Sequence, residues 1–289
     1  MVPGSATTES ARPPSSAGGA GAEILTGEFQ QDGFRLAYSV SGRGQDDLVF
    51  IHGLYSSATA GLPLADQLSA RHRIWAPDLP GHGGSGAFPA EASIEEAARA
   101  ASLFIRARCD PPIKALIGYS MGCVVALRLA GSEPELLNSL ILIAGPAVPD
   151  RIPLWARGLA SPVFCHPTGI AMAAGIRAGE MAGRVLLRRN GLLRVLLSGA
   201  ASADRRATIG LVQSASRLDP ERVTRALHDT PCLVVHGTHD RIVRPFHALE
   251  LQRLLPQSRL HWLSGVDHLA PYTDAKRVAR LIDSFLKRL

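Results

Sequence analysis

The segment ALIGYSMGCVVALRLAG, residues 115–131, places a strand-like run, a short turn and a helical pattern directly after one another. Its apolar beginning, Ala115–Ile117, predicts a buried strand, and Met121–Gly131 predicts a helix. Between them lies Gly118-Tyr119-Ser120-Met121-Gly122, in which two glycines flank a serine. Because glycine has no Cβ, these glycines permit a tight turn from strand to helix. The spacing therefore predicts that Ser120 is presented at a sheet edge, at the N-terminus of a helix.

The same alternation of strand-like runs and helical patterns extends along the chain in both directions. Strand-like runs occur at Ile24–Phe29, Phe34–Val40, Leu48–Ile51, Arg73–Ala76, Ala115–Ile117, Leu140–Ala144, Leu233–Val235 and Leu260–Leu263. Helical patterns occur at Leu62–Ala70, Ser93–Arg108, Met121–Gly131, Pro245–Leu255 and Asp274–Leu289. Such alternation is typical of an α/β fold, in which a parallel sheet carries helices on both faces. The first two runs predict a hairpin at one edge.

Two segments depart from this alternation. Residues 146–218 hold no convincing strand, and they predict a helical cap inserted over the sheet. The helical patterns of this cap lie at Leu154–Leu159, Ile170–Ile176, Met181–Leu197 and Thr208–Arg217. The core domain is therefore expected at residues 23–145 and 219–289. Residues 1–22 consist mainly of Ser, Ala, Gly, Pro and Thr, a composition that cannot bury enough apolar surface to fold, so they predict a disordered tail.

The net excess of positive charge belongs to the predicted cap, and the rest of the chain is close to neutral. The whole sequence has a formal net charge of +6, whereas residues 146–218 hold ten arginines, no lysine and three acidic residues. Such a concentration does not predict a nucleic-acid-binding surface, and no nucleic-acid partner is expected. Two interpretations stay open: a solvated helix face, or contact with an anionic substrate, an acidic carrier or a membrane surface.

The four cysteines lie far apart and form no CxxC pair; they are Cys109, Cys123, Cys165 and Cys232. Zinc-ribbon and thioredoxin-type sites are therefore not predicted, and neither a metal nor a cofactor is expected. The N-terminus lacks a basic region followed by an apolar one, and no apolar run reaches the length of a membrane-spanning helix. These features predict a cytoplasmic protein with reduced thiols and no transmembrane segment.

A nucleophilic serine needs a general base and an acidic residue that orients the base. Asp240 follows the strand-like run Leu233–Val235, and His268 follows the run Leu260–Leu263. Because the carboxyl ends of parallel strands meet at one edge of a sheet, both residues are expected near Ser120. The sequence therefore predicts that Ser120, Asp240 and His268 are the catalytic residues.

Other titratable residues near these positions are assigned no catalytic role. Asp267 adjoins His268 and is interpreted as a turn residue. His236 ends a strand, and His239, beside Asp240, could line a pocket. The stretch Asp78–Ser85 (DLPGHGGS) is a tight Gly/Pro turn and is interpreted as structural.

An ester-type tetrahedral intermediate needs two preorganised N–H donors for its negatively charged oxygen. One predicted oxyanion-hole donor is the backbone N–H of Met121, the residue directly after the nucleophile. The second donor is expected in the loop after Leu48–Ile51, and the candidate is the backbone N–H of Leu54. Gly53 lets the backbone turn closely beneath the site, and His52 is interpreted as a structural, hydrogen-bonded histidine.

Taken together, these motifs resemble the α/β-hydrolase superfamily, and most closely its cap-bearing esterases, C–C bond hydrolases and cofactor-free perhydrolases. The resemblance covers Glu23 to Leu289 and rests on HG at 52–53, DLPGHGGS at 78–85, GYSMG at 118–122, GTHD at 237–240 and DH at 267–268. It implies an eight-stranded, mostly parallel sheet with a helical cap after the sixth strand. It also implies a Ser120–His268–Asp240 triad, with Leu54 and Met121 as oxyanion donors.

The hypothesis that these residues favour is hydrolysis of a carboxylic ester or thioester of a small-molecule acyl substrate through an acyl-enzyme. One alternative is hydrolysis of a C–C bond in a β-diketone, in which His268 first moves a substrate proton. A second alternative is a non-hydrolytic biosynthetic or receptor protein that has kept the fold. The intact triad counts against the second alternative.

Overall fold

All the strands of the described residues belong to one sheet. The computed structural model describes residues 23–147 and 202–289. The strands are β1 (Ile24–Gln31), β2 (Phe34–Ser41), β3 (Asp46–Ile51), β4 (His72–Pro77), β5 (Ala115–Tyr119), β6 (Leu140–Ile143), β7 (Cys232–Gly237) and β8 (Arg259–Leu263). Their order is β1-β2-β4-β3-β5-β6-β7-β8, with β2 antiparallel to both neighbours and all other pairs parallel. This confirms the predicted eight-stranded, mostly parallel sheet.

Helices pack on both faces of this sheet, as the alternation of patterns predicts. The α-helices of the described ranges are α1 (Leu62–Leu68), α2 (Ile94–Arg108), α3 (Met121–Ser132), α4 (Arg205–Ala215), α5 (Pro220–Thr224), α6 (Phe246–Leu254), α7 (Ala270–Thr273) and α8 (Ala275–Leu286). Within those ranges, none is long and apolar enough to cross a membrane. The predicted tail (1–22) and residues 148–201 of the predicted cap lie outside the described residues.

Three observed helices, α4, α5 and α7, differ from the predicted ones, and each difference has a local cause. Helix α4 begins before the predicted Thr208–Arg217, because the Asp204 carboxylate accepts a hydrogen bond from the Arg206 N–H at 2.6 Å and caps the helix there. Helices α5 and α7 were not predicted from the sequence. Each spans little more than one turn and has a proline in its first turn, so it lacks a long periodic pattern.

The central strands bury both of their faces. Side chains alternate along β3, so that Val49 and Ile51 join Phe104 of α2 in one apolar cluster. Leu48 and Phe50 join α1 and α8 in a second cluster on the opposite face. Strands β5, β6 and β7 are buried along their whole length, which explains why their sequences are continuously apolar rather than alternating.

At one edge, β1 and β2 form the predicted hairpin. Gln31 pairs with Phe34, and the connecting residues Asp32 and Gly33 have φ values of 48° and 81°. Positive φ at both positions is the requirement of a type I′ turn, whose twist matches that of the flanking strands. The carboxyl ends of β3, β5, β7 and β8 point to a common edge of the sheet, and the loops that follow them hold the candidate site.

Candidate active site

Ser120 occupies a strained turn between β5 and α3. Its φ and ψ values are 54° and −121°, a conformation that non-glycine residues rarely adopt. The flanking glycines are required by close backbone packing: a Cβ on Gly118 would lie 2.6 Å from the Cys123 Cα, and a Cβ on Gly122 would overlap the Ile51 carbonyl. The turn is held because the Ser120 N–H donates to the Ile143 carbonyl at 3.0 Å.

His268 lies in the loop after β8 and contacts both of the other predicted catalytic residues. Its Nδ1 is 2.8 Å from Asp240 Oδ2, and its Nε2 is 3.0 Å from Ser120 Oγ. Since a carboxylate only accepts hydrogen bonds, Nδ1 carries the proton and Nε2 is left to accept from the serine hydroxyl. The structure thus brings Ser120, His268 and Asp240 into one hydrogen-bonded series.

The Asp240 carboxylate is buried and fixed on both of its oxygens. Oδ1 accepts from the backbone N–H groups of Ile242 and Val243, each at 2.9 Å, and Oδ2 faces His268. These contacts follow from the turn after β7, which folds the chain back around the carboxylate. The geometry allows the carboxylate to hold the imidazole of His268 in a single orientation.

His236 is a second histidine beside this carboxylate, and the sequence predicts no catalytic role for it. Its Nε2 donates to the Val243 carbonyl at 2.9 Å and lies 3.5 Å from Asp240 Oδ2. Burial lowers the pKa of His236, against the opposing effects of the Val243 carbonyl and Asp240. The side chain therefore braces the turn that supplies two donors to Asp240. Its position four residues before Asp240 was visible in the sequence, but its direction was not.

The loop after β3 passes directly against the nucleophile. A Cβ on Gly53 would lie 3.0 Å from Ser120 Cβ and 3.5 Å from Ser120 Oγ. Leu54 follows this close approach, and Met121 begins α3. Within the described ranges, neither the Leu54 nor the Met121 backbone N–H donates a hydrogen bond to a protein acceptor. Both remain available to a ligand atom.

The remaining histidine motifs form the support of this loop. His52 Nδ1 donates to the Gly53 carbonyl at 2.8 Å, and its Nε2 accepts from the Leu79 N–H at 2.9 Å. Burial lowers the pKa of His52 to about 4 despite the opposing Gly53 carbonyl. Burial, with a smaller contribution from His52, also lowers the pKa of His82 to about 4. Both rings are therefore neutral near pH 7, in keeping with a structural role for His52.

The Asp78–Ser85 stretch and the other neighbours of the triad also have structural contacts. The Asp78 carboxylate accepts from the backbone N–H groups of Ala58 (2.5 Å) and Gly84 (2.8 Å). Asp267 is exposed and accepts from the Leu269 N–H at 2.9 Å, the contact of a turn residue. His239 is exposed as well.

The described ranges contain no group of three or more His, Cys, Asp or Glu side chains that could hold a metal ion. Three of the four cysteines fall in these ranges, and Cys109, Cys123 and Cys232 are free and buried. Burial raises the pKa of each of these thiols far above its usual range. They are therefore inert core residues rather than nucleophiles.

Comparisons with known proteins agree with this architecture. The chain is 25% identical over 273 residues to an uncharacterized protein of Mycobacterium tuberculosis, covering 88% of this chain and 79% of that protein. It is 28% identical over 242 residues to a pimeloyl-[acyl-carrier protein] methyl ester esterase of Neisseria meningitidis, covering 82% and 92%. The structure of an esterase from Rhodococcus superposes with a TM-score of 0.77 at 22% identity, covering 91% and 98%.

The profile of the alpha/beta hydrolase family matches residues 48–281, which include the turn at Ser120 and the loops that carry Asp240 and His268. The chain therefore belongs to the alpha/beta hydrolase family and is an α/β-fold hydrolase.

Proposed function

We propose that this protein is a serine hydrolase of carboxylic esters or thioesters, with Ser120 as nucleophile, His268 as general base and Asp240 as its orienting acid. The observation that carries the proposal is the unbroken series of contacts from Asp240 Oδ2 to His268 (2.8 Å) and from His268 to Ser120 Oγ (3.0 Å). A hydroxyl is a weak nucleophile until such a base accepts its proton.

In the first half of the reaction, Ser120 Oγ attacks the acyl carbonyl carbon while His268 Nε2 accepts the hydroxyl proton. The Asp240 carboxylate stabilises the imidazolium that forms. The carbonyl oxygen becomes negatively charged, and we assign the backbone N–H groups of Leu54 and Met121 as its donors. The intermediate collapses when His268 gives its proton to the departing alcohol or thiol, which leaves an acyl ester on Ser120.

In the second half, a water molecule attacks the same carbonyl carbon and gives a proton to His268. His268 then returns this proton to Ser120 Oγ as the acyl–oxygen bond breaks. The products are a carboxylic acid and the regenerated serine. Every step uses the same backbone N–H donors and the same base, together with the Ser120 and Asp240 side chains and water.

The choice of an ester or thioester bond draws further support from the Neisseria relative, which is named for the hydrolysis of a methyl ester of an acyl chain. An ester carbonyl placed against Ser120 would also face the backbone N–H groups of Leu54 and Met121, which have no protein acceptor within the described ranges. We therefore assign a small-molecule acyl compound as the substrate.

The proposal is tested with a fluorophosphonate probe, which reacts with activated serines, followed by a panel of p-nitrophenyl esters of increasing acyl length. Wild type should be labelled at Ser120 and should hydrolyse at least one ester of the panel. Ser120→Ala should lose both activities, whereas Ser132→Ala, at the opposite end of α3, should keep both. Labelling at another residue, or hydrolysis that survives in Ser120→Ala, would overturn the assignment.

A further inference from the structure

The residue that precedes the nucleophile contacts the loop of the general base. Tyr119 is the last residue of β5, and its hydroxyl donates a hydrogen bond to the backbone carbonyl of His268 at 3.2 Å. The phenol ring also packs against the imidazole, with 5.5 Å between ring centroids and 33° between ring planes. One side chain thus supports both the backbone and the ring of His268.

The Tyr119 hydroxyl is the hydrogen-bond donor to the His268 carbonyl. Within the described ranges, no backbone N–H donates to that carbonyl; the turns of α7 begin with Leu269 and Ala270 as acceptors instead. His268 is buried, so its carbonyl has little access to water. A buried carbonyl without a donor costs free energy, and the loop would shift to recover one.

Tyr119 is itself held in place. Its ring and the Tyr272 ring form a T-shaped pair, with 6.2 Å between ring centroids and 74° between ring planes, and the Tyr272 hydroxyl lies 3.4 Å from Ser56 Oγ. Burial is the main reason that the pKa of Tyr119 lies well above its usual range, with smaller contributions from Tyr272 and Asp240. The hydroxyl therefore keeps its proton and remains a donor at neutral pH.

We propose that the Tyr119 hydroxyl is a positioning group for the general base, which fixes the His268 loop so that the imidazole reaches Ser120 and Asp240 at the same time. This inference rests on the proposed function. Two distances must hold together, 3.0 Å to Ser120 Oγ and 2.8 Å to Asp240 Oδ2, and they constrain opposite ends of one ring. Small displacements of a catalytic group lower rates steeply.

The proposed role affects turnover rather than substrate binding. Tyr119 is only 4% exposed, and its side chain belongs to the apolar cluster that also holds residues of α1 and α8. Its hydroxyl therefore acts on the reacting atoms through the His268 backbone. Loss of its hydroxyl should lower kcat and the rate of covalent labelling and should leave KM nearly unchanged.

The test compares Tyr119→Phe with Tyr272→Phe. Each variant loses one phenolic oxygen from the same pair of rings, but only the first loses the hydrogen bond to the His268 carbonyl. We expect Tyr119→Phe to have a kcat about 10-fold lower and a fluorophosphonate labelling rate reduced to the same extent, which corresponds to the loss of about one hydrogen bond. KM should change by less than about twofold, and Tyr272→Phe should stay within about twofold of wild type in all three quantities.

A spectroscopic measurement reports on the base without substrate. The proton between His268 Nδ1 and Asp240 should give a downfield proton NMR signal, which we expect to broaden in Tyr119→Phe and not in Tyr272→Phe. Thermal unfolding of both variants is measured alongside. If Tyr119→Phe proves too unstable to assay, Tyr119→Trp keeps a buried aromatic ring with an N–H donor and should show partial loss of kcat at unchanged KM.

The outcomes separate this inference from the proposed function. If wild type is labelled at Ser120 and Tyr119→Phe is labelled and turns over at the wild-type rate, the positioning role is wrong and the proposed function stands. If both variants lose kcat equally, the effect belongs to the aromatic packing, and the role of the Tyr119 hydroxyl is again wrong. If wild type is not labelled at Ser120, the proposed function itself fails.

Discussion

Asp240 and His268 lie 28 residues apart in the sequence, yet Asp240 Oδ2 and His268 Nδ1 are 2.8 Å apart. The reason is the pairing of the strands that precede them. β7 and β8 are parallel neighbours with Gly237 opposite Leu263, so their carboxyl ends stop at the same level. The two loops therefore begin side by side, and each needs only a short turn to direct its side chain toward Ser120.

Replacement of Asp240 by Asn tests this contact. The amide keeps the size of the side chain but removes the negative charge that orients and stabilises the imidazolium. We expect kcat for a p-nitrophenyl ester to fall by roughly ten-thousand-fold. Asp267→Asn is the matched control, because Asp267 is exposed and an amide oxygen can still accept from the Leu269 N–H. Equal activities in the two variants would contradict the assignment of Asp240.

His236 should matter through the turn that it braces. In His236→Leu the Val243 carbonyl loses its donor, and the Val243 and Ile242 N–H groups that fix Asp240 are held less firmly. We expect the free energy of unfolding to fall by about 1–3 kcal/mol and kcat to fall about 10-fold. Urea denaturation and steady-state kinetics measure the two effects. His261→Leu, at an exposed position on β8, should change neither substantially.

The close approach of Gly53 to the nucleophile leaves little room for a side chain. In Gly53→Ala the new Cβ would lie 3.0 Å from Ser120 Cβ and 3.2 Å from the Tyr119 carbonyl, so the loop must move away by a few tenths of an ångström. This movement displaces the Leu54 N–H, and we expect a loss of about 10- to 100-fold in kcat.

Gly86→Ala is the control for this prediction, because a Cβ there meets Arg35 Cβ at an ordinary 3.5 Å. Its kcat should be close to that of wild type. An active Gly53→Ala enzyme with an unchanged labelling rate would show that the loop does not contribute to the oxyanion hole.

Acid should destabilise the fold through His52 and His82. Burial is the main cause that lowers the pKa of each histidine to about 4, whereas an unfolded chain has its histidines near 6.5. Between these values the unfolded chain binds more protons than the folded one, so stability falls as the pH falls from about 6.5 to about 4, and then levels off. At pH 5 each histidine costs about 2 kcal/mol relative to pH 7.

Urea denaturation at pH 7 and at pH 5 measures this loss. Replacement of His52 by Asn removes one titrating ring and should reduce the difference between the two pH values. His228→Asn, at an exposed position, should leave the difference as it is in wild type. A His52→Asn protein that loses as much stability as wild type between pH 7 and pH 5 would show that His52 is not buried in its neutral form.

Several features of this protein could be predicted from the sequence because each depends on neighbours in the chain. The turn at Ser120 follows from glycines on both sides of a serine between a strand and a helix. The strands around it follow from continuous apolar runs such as Leu140–Ile143, and the helices from their periodicity. Asp240 and His268 could be placed at the correct edge because loops after parallel strands share it. Most of the predicted cap, residues 148–201, lies outside the described residues, so the cap and the role of its basic charge remain predictions.

The contacts that complete the site depend on the tertiary structure. The Tyr119 hydroxyl meets the His268 carbonyl across 149 residues, and no local pattern distinguishes this tyrosine from any other apolar residue at the end of a strand. In the same way, the sequence shows His236 only as a residue at the end of a strand. Its contacts with Asp240 and Val243 form because the turn after β7 brings these two residues to its ring. The sequence determined which residue types stand at the ends of the strands, because strands, helices and tight turns are local. Only the packing of the strands into one sheet decided which of these ends touch, because hydrogen bonds between distant residues form only where folding has already brought their backbones together.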